Sequence, residues 1–510
     1  MSAIGVAPGS SGPVSNDDPV DHRRAPAPVL LGAVITGWIV VFAVLAVRRQ
    51  DRFGSAALDT GLYDQAIWLL AHGKDFITVR GLPVFGHHAN PAFYLLVPAY
   101  WLGAGANFIN VIQVIALGLG AIPLYLLGRD KGLGAWPSAA LGSIWLLHPA
   151  TQFFAWEQFH PETMAITPLL AAYLCAERRS WRWFAFWIVF AVSWKEDVAI
   201  AVAMLGLVVA IRGDRKIGFL TAGAAIAYFF FVMQVLLPAV SGHPAAYGDF
   251  YAGVGGSASG VLKTMFTDPR LIAGRVFSDS SAAFTWKMLA PFGVVPPLFA
   301  PITLLIGLPQ FFLDLVSDVE FTRTIVYRYA ALPLVAIALA AVEGAAFGVR
   351  RLGSRARVAI PAVMLACAVA ATLAWGPSPI GAEYDAGYWP PAHDRRLGTK
   401  EAAVARIPAD ASVSATYSLL PHLAHRDDIF LFPNPFESRL WGYRDQDPRD
   451  PTDIEWVIGD TRVLVPHDAA KLRNIVGSND FKIVFDRAGI VVAQRVRAGS
   501  GEDPSGSSGG

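Results

Sequence analysis

The sequence predicts a polytopic α-helical membrane protein that ends in a small α/β domain, and three observations carry that prediction. The 510-residue chain is 54% hydrophobic and only 16% charged, with a mean hydropathy of +0.43; an ordinary soluble protein carries about 25% charged residues. Its apolar residues gather in runs near the ~20 residues a helix needs to cross the hydrocarbon core. After Trp375 the texture changes to short apolar segments between Pro, Asp and Gly turns, the pattern of a small sheet with helices.

The clearest spans are 29–47, 107–127, 134–153, 163–176, 217–237, 329–348 and 358–375. Lys and Arg in short loops stay cytoplasmic. Four basic clusters recur: Arg129/Lys131, Arg178/Arg179/Arg182, Arg212/Arg215/Lys216 and Arg350/Arg351/Arg355/Arg357. Placing all four inside requires even numbers of spans between them. Residues 183–211 then form two short tilted helices that meet near Lys195-Glu196-Asp197. The stretch 238–285 becomes a long outer loop, and 286–316 a Pro-broken hairpin. Residues 90–103 are too short to cross and lie at the interface or re-enter. The total is about eleven spans. One feature runs against the scheme: Arg48, Arg49 and Arg52 fall on the outer side.

The domain organisation expected is a disordered cytoplasmic tail over 1–28, a transmembrane domain over 29–375 with an outer loop over 48–106, an extracytoplasmic α/β domain over 376–497, and a flexible tail over 498–510. The opening residues are polar and rich in Pro, Ser and Gly, without the apolar core of a signal peptide. Strands are expected at Ser412–Ala415, Trp456–Ile458, Arg462–Val465, Lys482–Phe485 and Ile490–Ala493, with helices near 399–406 and 468–476. The setting is the plasma membrane, with membrane lipids as neighbours.

A net charge of +1 gives no overall field to recruit nucleic acid. No Walker loop, dinucleotide fingerprint or zinc spacing is present. Cys175 and Cys367 each sit in an apolar run and read as small packing residues.

The remaining polar concentrations all fall on the outer side. The first loop reads Asp59-Thr60-Gly61-Leu62-Tyr63-Asp64-Gln65-Ala66-Ile67-Trp68 and ends at His87-His88-Ala89-Asn90-Pro91. Asp64 and Trp68 are at i, i+4 on a helix, setting a carboxylate beside an aromatic platform; Asp59 can instead be a helix cap. The second loop, Trp156-Glu157-Gln158-Phe159-His160-Pro161-Glu162, places two acids and a histidine among aromatics; Glu162 also suits the first turn of a helix. Lys195, Glu196 and Asp197 stand between two apolar segments, and charges at membrane depth line cavities or pair with one another. Arg323, Tyr327 and Arg328 precede a span, where a guanidinium can grip a phosphate in forked geometry or snorkel to the interface. A carboxylate base and nearby cations are what sugar transfer from a lipid phosphate needs.

These motifs, together with Trp194-Lys195-Glu196-Asp197 and Ile407-Pro408-Ala409-Asp410-Ala411-Ser412-Val413, resemble a large family of bacterial and archaeal polytopic membrane proteins known as a domain of unknown function. That family is similar to the GT-C superfamily of glycosyltransferases, which use polyprenyl-phosphate sugars and carry the catalytic base in an acidic motif of the first outer loop. Tyr63-Asp64-Gln65 resembles the Asp-Glu element of the protein-mannosyl and aminoarabinose transferases. Gln65 stands where Glu is usual, so the resemblance does not extend to metal binding by this loop, and Asp59 and Asp64 stay alternative bases. The expectation is therefore transfer of a sugar from a polyprenyl-phosphate donor to a glycan, lipid or protein acceptor of the cell envelope. Asp59 or Asp64 would be catalytic. Substrate would be bound by Gln65, Trp68, His87, His88, Trp156, Glu157, His160, Glu162, Lys195, Glu196, Asp197, Arg323, Tyr327 and Arg328. No cofactor is certain, and a divalent metal, Mg or Mn, is left open. The alternative is a transporter or flippase for a lipid-linked or small polar substrate; against it, the chain shows no clear repeated halves.

Overall fold

In the computed structural model, residues 26–243, 248–391, 393–439 and 449–496 are described. The tails expected at 1–28 and 498–510 lie outside the described residues, except that 26–28 already belong to the first helix, Pro26–Asp51. Proline is tolerated there because the first turn leaves its N–H positions unbonded in any case.

Five helical segments are long and apolar enough to cross a membrane: Pro26–Asp51, Ala106–Asp130, Arg215–Ser241, Arg328–Leu352 and Ala356–Trp375. Arg328–Leu352 is buried along most of its length and forms the centre, while Pro26–Asp51, Arg215–Ser241 and Ala356–Trp375 keep exposed Val, Leu and Phe on their outer faces. The other passes are assembled from shorter pieces. His148-Pro149 divides Ala135–Leu147 from Pro149–Glu157, and Trp181–Val192 and Val198–Ile211 meet at the Lys195 turn. Residues 290–316 dip into the bundle as the short helices Val295–Leu298, Pro301–Leu304 and Leu308–Val316. They pack so closely on the central helix that a Cβ on Gly344 would stand 1.7 Å from the Pro296 carbonyl oxygen. Glycine there lets two backbones touch.

The bundle has two polar ends. Asp130 pairs with Arg178, Lys131 with Glu177, and Arg212 with Glu343 at one end, so three of the basic clusters are in contact with one another. Arg350 lines a cavity there with Lys131 and Arg212. Arg49 and Arg52 stand at the opposite end, bonded to the carbonyls of Trp156 and Pro391. Their breach of the charge rule is thus explained by use: they are held by the fold.

The stretch 238–285 needs correction as a loop, while 90–103 keeps the short, non-crossing character expected of it. The stretch 238–285 is largely helical, with Ala258–Thr267, Pro269–Val276 and Asp279–Leu289 capped by Ser257, Asp268 and Ser278. Each cap accepts a backbone N–H of the first turn. Residues 90–103 form two short helices, Pro91–Leu95 and Val97–Trp101, with Tyr94, Leu95, Trp101 and Leu102 exposed.

Besides the short antiparallel pair β1 (Phe76–Ile77) and β2 (Leu82–Pro83) in the first loop, the terminal region builds a five-stranded mixed sheet, ordered β4-β3-β5-β7-β6, from β3 (Val413–Ala415), β4 (Ile429–Leu431), β5 (Trp456–Asp460), β6 (Phe481–Arg487) and β7 (Ile490–Arg495). β3 is parallel to β4 and β5, while β7 runs antiparallel between β5 and β6. Helices Leu397–Val404 and Pro466–Val476 flank it. The strand expected at Arg462–Val465 is a turn: Asp460 Oδ1 accepts the Arg462 N–H and bends the chain out of β5. The three-residue strand β4 takes its place as a sheet edge.

Candidate functional site

A five-residue π-helical turn, Ala57–Gly61, presents Asp59. Its neighbour Thr60 donates to Gln158 Oε1 (2.7 Å), and Gln158 Nε2 donates to Ser55 (2.6 Å). The first loop is thereby tied to the second. Gln158 has φ 78° and ψ −164°, a region that costs a non-glycine residue about 1–3 kcal/mol. Its surroundings hold it there. Asn110 accepts from the Phe159 N–H (3.1 Å) and Gln113 from the His160 N–H (2.6 Å), both from the buried face of Ala106–Leu119.

This framing delivers a compact set of charges. His160, fully buried, donates from Nε2 to Asp59 Oδ1 at 3.1 Å. Arg328 gives its backbone N–H to Glu157 Oε2 (2.6 Å) and Nη1 to Glu157 Oε1 (2.9 Å). Its Nε reaches Glu162 Oε1 at 3.1 Å, and Nη1 stands 3.9 Å from Asp59. Lys195 closes the ring, 2.8 Å from Glu162 Oε1 and 3.0 Å from Asp197 Oδ2. Arg49 Cζ stands over the Trp156 ring, 4.0 Å from its centroid, and Nε donates to the Gly54 carbonyl (2.9 Å). It forms no ion pair among the described residues. Burial alone would raise the Asp59 carboxyl, but the His160 bond and the charges of Arg328 and Arg49 hold it below the usual carboxylate range. Tyr417, from the terminal domain, lies close enough to Asp59 and Arg49 to feel both charges; burial and Asp59 push its phenol up.

Of the residues singled out from sequence, Asp59, Glu157, His160, Glu162, Lys195, Asp197 and Arg328 come together in this cluster. Trp156 and Tyr327 stand at its rim, ring centroids 6.4 Å apart. His88 and Glu196 form an adjoining buried pair at 2.8 Å that binds the end of the first loop to the Lys195 turn, with the His87 ring tilted against His88 at 4.2 Å. Asp64, Gln65 and Trp68 are turned elsewhere, onto the terminal domain. Asp64 Oδ1 accepts from Tyr100 (2.7 Å) and from His425 Nε2 (3.1 Å). Gln65 is fully buried, donating to Thr78 and to the carbonyls of Arg426 and Asp427, and accepting from Val79 N–H. Trp68 stacks between His72 and His425. Arg323 folds back on Leu315 and Ser317 carbonyls.

Arg49, Gln158, Tyr417 and His425 were not singled out from sequence. For Arg49 the signal existed, in its placement on the side where basic residues are disfavoured. Tyr417 and His425 carry no local motif and reach the first loop only through the tertiary fold. Asp59, Glu157 and Glu162 are engaged with His160, Arg328 and Lys195. Among the described residues no three His, Cys, Asp or Glu side chains are grouped to hold an ion.

Residues 49–492 match the model of a family described as Predicted membrane protein (DUF2079). No curated protein sequence matches the chain. Among solved structures, ArnT from Cupriavidus metallidurans bound to undecaprenyl phosphate superposes with a TM-score of 0.52 at 13% identity, covering 92% of this chain and 98% of that one. The apo form of the same protein gives 0.54 at 11% identity, covering 92% and 99%. The Archaeoglobus fulgidus oligosaccharyltransferase complex with Zn and sulfate gives 0.38 at 15% identity, over 90% and 73%.

Proposed function

The chain belongs to that family of predicted membrane proteins and has the fold of ArnT, and on this premise we propose that it is a membrane glycosyltransferase of the GT-C type. It takes a sugar from a polyprenyl-phosphate donor and passes it to a hydroxyl or amine of a cell-envelope acceptor, at the plasma membrane, with the terminal domain on the extracytoplasmic face. The observation that carries the reading is the position of Asp59, a partly exposed carboxylate 3.9 Å from the Arg328 guanidinium, with Lys195 and Arg49 in the same cluster. That the ArnT structure carries undecaprenyl phosphate supports the donor class.

In this mechanism Asp59 accepts the proton of the acceptor group as its oxygen or nitrogen attacks the anomeric carbon. The new bond forms as the sugar–phosphate C–O bond breaks, and the polyprenyl phosphate departs with the electron pair. Arg49, Arg328 and Lys195 stabilise the charge that develops on the leaving phosphate. Arg328 and Lys195 are already paired with carboxylates, so Arg49 is the cation readiest to receive an anion. His160 fixes the orientation of Asp59, and the Trp156 and Tyr327 rings offer faces for the sugar.

The test is a purified-protein assay with synthetic polyprenyl-phosphate sugars, beside glycan analysis of a deletion strain complemented with wild type, Asp59→Asn or Asp64→Asn. Wild type restoring a missing sugar while Asp59→Asn does not is the expected result. Full restoration by Asp59→Asn removes Asp59 as the base, and an envelope unchanged by deletion, with no donor turnover in vitro, removes the reaction itself.

A further inference from the structure

The end of the bundle opposite Asp59 holds a second polar cluster that the proposed reaction does not use. Glu343, on the central helix Ala331–Leu352, accepts from Tyr173 (2.6 Å), from Thr303 (2.8 Å) and from Arg212 Nη1 (2.7 Å), and Lys131 Nζ stands 3.0 Å away. Glu177 pairs with the same two cations. Two acids thus neutralise Lys131 and Arg212. Arg350 adds a further cation, exposed and in no ion pair among the described residues.

Glu343, Phe347 and Arg350 fall at i, i+4 and i+7, on one face of their helix. Facing them is the tip of the hairpin, where the Phe299 ring stacks on Phe347 with centroids 5.3 Å apart. Together these elements line an open cleft of about 260 Å³, with Lys131, Arg212, Arg350, Glu343 and the Phe299–Ile302 tip on its wall. Its wall is divided. The inner side is charged, and the outer side continues into Phe299, Ile302 and Leu352, which are exposed.

We infer that this cavity is a headgroup site for an anionic phospholipid, its phosphate against Arg350 and its acyl chains lying over Phe299 and Ile302. Three properties select that occupant. The lining carries more cations than acids, which favours an anion over a zwitterion. A free phosphate gains nothing from the apolar outer wall, whereas a lipid chain does. The volume is below the ~300–1,000 Å³ that encloses a whole drug-sized ligand, so it suits a headgroup whose chains remain outside. Basic pockets between membrane helices are a recurrent setting for anionic headgroups. The inference is independent of the transfer reaction at the other end.

The experiment is thermal unfolding of the purified full chain in detergent, followed by tryptophan fluorescence, with phosphatidylglycerol titrated in as mixed micelles. Phosphatidylcholine and inorganic phosphate are the parallel arms. A saturable rise in Tm with phosphatidylglycerol alone is expected, with half-saturation about fivefold weaker in Arg350→Ala. Arg357→Ala, at the same end but outside the cavity lining, is expected to match wild type. Equal effects of the two lipids, a response to inorganic phosphate of the same size, or equal losses in Arg350→Ala and Arg357→Ala would overturn the site.

Discussion

Nε2 of the buried His160 lies 3.1 Å from Oδ1 of Asp59, and the other carboxylate oxygen makes no hydrogen bond among the described residues. On the proposed reading, the histidine therefore orients the base without consuming it. Asp59→Asn keeps the shape and removes the basicity, so kcat is expected to fall by about 10²–10⁴-fold with the fold intact by thermal unfolding. Asp64→Asn, on the face turned to Tyr100 and His425, is expected to lower Tm while retaining turnover. Equal kcat losses in the two variants would contradict this division.

Arg49 tests the leaving-group side. Its guanidinium lies on the Trp156 ring at 4.0 Å and donates to two backbone carbonyls, a planar arrangement that an ammonium cannot copy. Arg49→Lys keeps the charge and loses the fork. The expected outcome is a KM for the polyprenyl-phosphate donor raised by about tenfold, corresponding to ~1.4 kcal/mol, with the acceptor KM unchanged. An unaltered donor KM would exclude Arg49 from phosphate binding.

The contact between His425 and Asp64 is expected to make the packing of the terminal region on the first loop sensitive to pH. Burial alone would lower the imidazole, but the Asp64 hydrogen bond and charge raise it above its ordinary value. A group whose folded pKa is raised contributes stability below its unfolded pKa, about 6.5 for histidine, and loses it as pH climbs through the folded value. Wild type is therefore expected to lose Tm relative to His425→Gln as pH rises above about 6.5. Parallel Tm–pH curves for the two proteins would show that the pair does not couple docking to protonation.

Glu162 carries two partly buried cations at once, Lys195 at 2.8 Å and Arg328 at 3.1 Å. Glu162→Gln takes one carboxylate from each, leaving Lys195 with Asp197 and Arg328 with Glu157, and removing one partner of a fully buried pair costs about 3–5 kcal/mol, an upper bound here. The folded yield of Glu162→Gln in detergent is expected to collapse. The double variant Glu162→Gln with Lys195→Met, which removes one cation as well, is expected to recover part of it. No recovery would mean that the network is not the source of the loss.

The helical bundle was legible because its driving force is compositional: a lipid-facing helix must be apolar over a fixed length, and basic residues gather at its ends. The passes built from broken helices were less so, since His148-Pro149 and the Pro296–Pro301 hairpin interrupt the pattern while tertiary packing carries the chain onward. In the site, motif density located Glu157, His160, Glu162 and the Lys195 turn. It did not distinguish Asp59 from Asp64, because only the assembled terminal domain shows that Asp64 and Gln65 face His425, Arg426 and Asp427. Arg49 shows how a general rule can pass over a residue: the charge rule treated it as a lone exception, and only the tertiary fold places it against Trp156 and Gly54. The edge strand Ile429–Leu431 was illegible for a simpler reason, being three residues long between Asp428 and Pro433.

Gln158 bears on how the enzyme would work in time. A side chain locked to Ser55 and Thr60 keeps the backbone in a conformation that only glycine adopts freely. On the proposed function, leaving this geometry would break the Ser55 and Thr60 bonds of Gln158 while relieving its backbone strain, so the loop that carries His160 is expected to add no ordering step to turnover. Whatever conformational gating the reaction requires must reside in other segments, and the rigid edge around Glu157–Glu162 would act as the stator against which substrates are aligned.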